Sequence, residues 1–120
     1  IKTSVMNLVN TIKQRGEEVN TADVAASFQE AVVEILVEKT LAAAELKNVE
    51  TVILAGGVAA NSRLRNLLKE SGEAKGFKIK YPRPILCTDN AAMIASTAYF
   101  RYKKGESSDL DLIPVANLAL

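Results

Sequence analysis

The glycine pair Gly56-Gly57 follows the apolar run Thr51-Val52-Ile53-Leu54-Ala55, with Asn61, Ser62, Arg63 and Arg65 a few residues behind it. Glycines at the end of a buried strand let backbone N–H groups approach an anion, and in open α/β sheets ligands collect outside the carboxyl ends of strands. The same residues equally suit a plain strand-to-helix turn with Asn61 or Ser62 as the helix cap. The pattern is neither a Walker A loop nor G-x-G-x-x-G. Arg63 and Arg65 open the following helix, where positive charge is unfavourable by roughly 0.3–1 kcal/mol, so they face either an anionic partner or solvent.

A second cluster is Cys87-Thr88-Asp89-Asn90. Its spacing places Asp89 in the first turn of a helix just past a strand end, on the rim where the Gly56-Gly57 turn is expected. A carboxylate there either ligates a metal, positions a nucleotide through Mg²⁺, or only complements the helix dipole. Cys87 reads as a small buried hydrophobe, because nothing nearby serves as its base. The chain has no histidine, so a Ser-His-Asp triad, a Cys-His pair and a histidine-based zinc site cannot form within it.

These turns need elements to position them, and 120 residues with 48% hydrophobic and 24% charged side chains suffice for one domain, residues 1–120, with a real core. The formal charge of +1 gives no electrostatic reason for unaided binding to nucleic acid or an anionic membrane. One cysteine excludes an internal disulfide, and no signal peptide or long apolar run is visible, which makes a cytoplasmic setting the default.

Val5, Leu8, Val9 and Ile12 recur at helical spacing over residues 1–15, with Gly16 as a stop. A second helix is expected from Asp23 to Glu45, capped by Asn20 or Thr21, with Val24, Phe28, Val32, Ile35 and Leu36 on its inner face. The run Thr51–Ala55 has the composition of a strand covered on both faces. Leu64, Leu67 and Leu68 mark a third helix that ends near Gly72, and Phe77–Tyr81 alternates as a second strand, broken by Pro82 and Pro84. After the apolar step Ile85-Leu86-Cys87, Thr88 is expected to cap a last helix, Asp89–Lys103, stopped by Gly105; Glu106–Leu120 reads as a tail.

This order predicts an α/β fold with parallel strands joined by helical crossovers. Two strands are fewer than an independent sheet usually has, so the sheet is expected to be incomplete, with an edge that is bare or covered by another chain. A bare edge also offers the chain a route to a homodimer. The opening Ile1-Lys2-Thr3, close to the start of a helix, reads as a piece of a longer protein.

The strings LAGGVAANSRLR (54–65), CTDNAAMIA (87–95) and SDLDL (108–112), with AASFQEA (25–31), resemble the C-terminal part of the TsaD family. That family comprises tRNA threonylcarbamoyladenosine synthase subunits, formerly named O-sialoglycoprotein endopeptidases. The resemblance spans essentially the whole chain. It implies part of the second lobe of an actin-like, Hsp70-like and sugar-kinase-like (ribonuclease H-like) ATPase fold, a C-terminal fragment of a two-lobe protein.

The activity so implied is transfer of a threonylcarbamoyl group from its adenylate to N6 of the adenosine beside the tRNA anticodon. Implied cofactors are an adenylate or ATP-type nucleotide and one iron or zinc ion, held by two first-lobe histidines and the aspartate that matches Asp89. The resemblance assigns nucleotide contact to Asn61, with Gly56 and Gly57 forming the adjoining turn, and assigns no catalytic residue within the chain. Implied partners are tRNA, threonylcarbamoyl-adenylate and the other subunits of the synthesis complex, with no membrane. Asn61 and Asp89 are expected to face a common cleft. Because the histidines lie outside the chain, the fragment alone is expected to be inactive. Two other readings stand beside this one. The first is a metallopeptidase, against which the absence of H-E-x-x-H counts; the second is a non-catalytic interaction module.

Overall fold

A computed structural model describes residues 1–115. They form four helices and two short strands, α1 (Lys2–Gln14), α2 (Thr21–Leu46), β1 (Thr51–Ile53), α3 (Ser62–Ala74), β2 (Lys78–Lys80) and α4 (Ala91–Lys103). The molecule is therefore α/β and mostly helical. The strands pair in parallel, Thr51 with Lys78, Val52 with Ile79 and Ile53 with Lys80, and form the one two-stranded sheet among the described residues. Two compact units result, Ile1–Thr88 and a second that begins at Asp89.

The first unit is organised by α2 and α3. Val33, Val37 and Leu41 of α2 meet Leu64 and Leu68 of α3 in a buried cluster, ringed by Val52, Leu54, Leu67, Phe77 and Ile79. The spacing 33, 37, 41, 44 is one helical stripe. It is not the expected stripe: Phe28, Ile35 and Leu36 are 42%, 50% and 40% exposed. With about 100° per residue, the two stripes lie on nearly opposite sides of α2. The helix is apolar on both, so periodicity alone could not choose, and the leucines of α3 did.

The strands also depart from expectation. Only the face bearing Val52 and Ile79 is half-buried, while Ile53 is 70% exposed, so β1 is not covered on both faces. With only two strands, each has one unpaired edge among the described residues, and the exposed Lys78 and Lys80 put charge on β2.

The third helix ends at Ala74, near Gly72 as expected, but the glycine itself is not the stop. It lies buried within the helix, where an added Cβ would come within 2.5 Å of the Ile79 side chain. The glycine lets helix and strand approach closely. The chain leaves the helix at Gly76, whose φ of +84° suits glycine.

Asn20 caps α2 by accepting from the backbone N–H groups of Ala22 and Asp23, as one of the two expected caps. Gly16 and Gly105 adopt positive φ behind α1 and α4, as their spacing predicted. None of the helices among the described residues is long and apolar enough to cross a membrane. The end of the expected tail, residues 116–120, lies outside the described residues.

Candidate functional site

The turn from Leu54 to Arg65 is built in three steps. Leu54 N–H donates to the Lys80 carbonyl (2.9 Å), which carries the parallel ladder one residue past β1. Gly56 then takes φ +90° and ψ 174°, a region open essentially only to glycine. A single 3₁₀ turn, Gly57–Ala60, follows; Ala59 N–H donates to Gly56 O (2.9 Å) and Asn61 N–H to Val58 O (3.0 Å). The glycine pair therefore leads into α3 through an extra turn. Ala59 is fully buried and anchors that turn. Beside Gly56 and Gly57 there is open space where a Cβ would stand, so this stretch of backbone is accessible to an approaching group.

Asn61 is the N-cap of α3, accepting from Leu64 N–H at 3.0 Å through Oδ1. Its Nδ2 donates to Gln29 Oε1 of α2 at 3.3 Å. The capping role offered by the sequence is thus fulfilled, and one amide hydrogen remains uncommitted within this pair of contacts. Replacing Asn61 by Ala is expected to cost about 1 kcal/mol of stability, and Asn61→Asp, which keeps the capping oxygen, close to nothing. Urea unfolding of the two variants checks this.

The arginines that suggested an external anion find partners inside the chain. Arg63 binds Glu30 of α2 through two guanidinium nitrogens, with Nε at 2.7 Å. Arg65 Nη1 donates to Ala59 O (2.8 Å), and its guanidinium lies 5.9 Å from the Tyr81 ring centre. The hydrogen bond from Arg63, assisted by its charge, holds the Glu30 carboxyl below the usual glutamate range against a smaller opposing effect of burial. Both side chains are more than a third exposed, so solvent and salt screen the pair.

A lowered carboxylate pKa gives stability that is fully present above the ordinary glutamate value and disappears as pH falls through the lowered one. Glu30→Gln is therefore expected to lose less stability on acidification than the parent. Urea midpoints measured from neutral pH down through the carboxylate range at low salt would show the flatter profile.

The second cluster differs in detail from its sequence reading. Pro84–Leu86 is a 3₁₀ turn, not a strand end. Cys87 is buried, as expected, and its thiol donates to the Arg83 carbonyl at 3.6 Å. The cap of α4 is Asn90, whose Oδ1 accepts from Met93 N–H at 3.1 Å; it is not Thr88. Asp89 consequently precedes the cap and is not in the first turn of the helix. It is exposed.

The sequence-derived residues thus divide: Gly56, Gly57 and Asn61 come together in one turn of the first unit, and Asp89 opens the second. No group of three or more His, Cys, Asp or Glu side chains among the described residues is placed to hold a metal. Asp89 carries a hard carboxylate oxygen of the kind that suits such an ion, with no such group completed around it among the described residues. Gln29 and Glu30 were not among the candidate residues. They belong to the string AASFQEA, but a bridge across 32 or 33 residues leaves no mark in local spacing.

The profile of the TsaD family, described as tRNA N6-adenosine threonylcarbamoyltransferase, matches residues 1–96. The chain belongs to the TsaD family. Members similar to it include proteins named tRNA N6-adenosine threonylcarbamoyltransferase from Clostridium novyi (strain NT), 47% identical, and Clostridium botulinum (strain Kyoto / Type A2), 52% identical, each aligned over all of this chain and 35% of the relative. A third, from Desulfitobacterium hafniense (strain Y51), is 50% identical over 99% of this chain and 36% of its own length. The chain therefore spans about a third of these TsaD relatives. Within the family match lie both the Gly56–Asn61 turn and Asp89.

Proposed function

We propose that this chain is part of the second, C-terminal lobe of a tRNA threonylcarbamoyltransferase with an actin-like fold. The observation that carries the reading is the turn at Gly56: a backbone conformation reserved for glycine, at the carboxyl end of a parallel strand, with open space beside it and Asn61 at the head of the next helix. In this reading the backbone of Gly56 and Gly57 adjoins the adenylate, and the remaining Nδ2 hydrogen of Asn61 donates to its nucleoside part.

The reaction is an acyl transfer. The N6 amine of the target adenosine attacks the carbamoyl carbon, the bond from that carbon to the adenylate's phosphate oxygen breaks, AMP leaves with the electron pair, and N6 releases a proton. Asp89 would provide one ligand to an iron or zinc ion, the histidine ligands coming from outside this chain. Such an ion supplies Lewis-acid polarisation. With a net charge of +1, these residues offer little attraction to tRNA, and the electrostatic share of that contact falls to the rest of the protein and its partner subunits. A tRNA substrate fits a cytoplasmic setting. No observation favours the peptidase or the interaction-module reading.

The test is transfer to unmodified tRNA from threonylcarbamoyl-adenylate. The full-length protein with its partner subunits is expected to modify the tRNA, and residues 1–120 alone are expected to be inactive. Asn61→Asp in the full-length protein is expected to weaken nucleotide binding while leaving the cap intact. A variant that binds and transfers like the parent would remove Asn61 from the site.

A further inference from the structure

Gln29 and Glu30 are neighbours in α2, and both reach the start of α3. Gln29 Oε1 accepts from Asn61 Nδ2 at 3.3 Å, and Glu30 binds Arg63 through two guanidinium nitrogens. Between these bridges Asn61 Oδ1 accepts from Leu64 N–H at 3.0 Å. The carboxamide of Asn61 is thus held at both ends, its oxygen by α3 and one amide hydrogen by α2. Rotation about its terminal torsion, which is broad for a free asparagine, is restricted by the second contact.

Only one donor hydrogen is left, and its direction is set by the other two bonds. We propose that Gln29 is a positioning residue for nucleoside binding: it orients the Asn61 carboxamide so that the remaining Nδ2 hydrogen is offered to an acceptor atom of adenosine. The Glu30–Arg63 pair joins the same two helices beside this bridge, and the buried cluster of Val33, Val37, Leu41, Leu64 and Leu68 sets their separation. The proposal rests on the reading of Asn61 as a nucleoside contact, and deepens it by naming what aims that contact.

The experiment is adenosine binding to the full-length protein by calorimetry. Adenosine carries no charge, so a charged replacement at position 29 does not repel it. Gln29→Leu, of similar size but without an acceptor, is expected to weaken adenosine binding by about three- to tenfold, the range of one lost hydrogen bond. Gln29→Glu keeps an acceptor for Asn61 and is expected to bind like the parent. In an Asn61→Asp background, Gln29→Leu is expected to add no further loss, since the two side chains act as one unit.

Parental affinity in Gln29→Leu, with weakened binding in Asn61→Asp, would overturn the positioning role and leave Asn61 as a contact. Parental affinity in Asn61→Asp would overturn that contact and the positioning role together. Equal losses in Gln29→Leu and Gln29→Glu would show that the side chain acts through packing or folding, and would also overturn the proposal. Melting temperatures of all the variants accompany the binding data. Lower affinity with an unchanged melting temperature, restored by Glu, is the expected result.

Discussion

Asp89→Ala in the full-length protein is expected to lower tRNA threonylcarbamoylation by at least about 100-fold while leaving the melting temperature unchanged. Removal of groups that merely support a metal ligand commonly costs 10- to 100-fold, and removal of a ligand is expected to cost no less. Stability is expected to persist because Asp89 is exposed and stands outside α4, whose cap is Asn90. Substitutions of that kind generally stay within about 0.5 kcal/mol. Iron and zinc content, measured by mass spectrometry, is expected to fall with activity. Full activity at parental metal content would exclude Asp89 as a ligand. Loss of activity accompanied by unfolding would show instead that the residue serves the structure.

The largest stability effect is expected at Leu68. It is 2% exposed, and its neighbours Val33, Val37, Leu41 and Leu64 are all buried beside it. Truncation to Ala removes contacts from both α2 and α3 and leaves a cavity that a close-packed pair of helices fills only in part. A loss of about 2–5 kcal/mol follows, and Leu68→Met, which conserves volume, is expected to cost less than about 1.5 kcal/mol. Leu46, 83% exposed at the end of α2, is the natural control, with Leu46→Ala expected within about 0.5 kcal/mol of the parent. Urea unfolding with a constant slope would give the three values. A Leu68→Ala protein as stable as the parent would mean that this cluster is not the core.

Much of the local structure was legible because its causes are local. Asn20 and Asn61 were among the caps offered by the sequence, since an asparagine before an apolar periodic run satisfies backbone donors that would otherwise lack partners. Gly16 and Gly105 stop their helices through a conformation that other residues resist. At the last helix the same logic misplaced the cap by two residues. Thr88 and Asn90 are both good caps, and the sequence does not say which one the preceding 3₁₀ turn brings into position.

Readings that depended on the identity of a neighbour were of a different kind. α2 is apolar on two sides, and only the approach of Leu64 and Leu68 decides that Val33, Val37 and Leu41 are buried while Phe28, Ile35 and Leu36 remain exposed. Gly72 looked like a stop because glycine is a poor helix former; its place inside the last turn of α3 is explained by Ile79, which needs the room. Arg63, whose place at a helix start left an anionic partner or solvent open, pairs with Glu30 of α2.

The sequence by itself determined the order of elements, the α/β class, the conformational need for glycine at the end of the first strand, and the family to which these residues belong. Each follows from backbone preferences or from strings of adjacent residues, which are local properties. Tertiary structure alone decided which side of α2 is buried, which anion Arg63 binds, and that Gln29 holds Asn61. These depend on groups brought together across some 30 residues of chain, which meet only once apolar burial has packed α2 against α3.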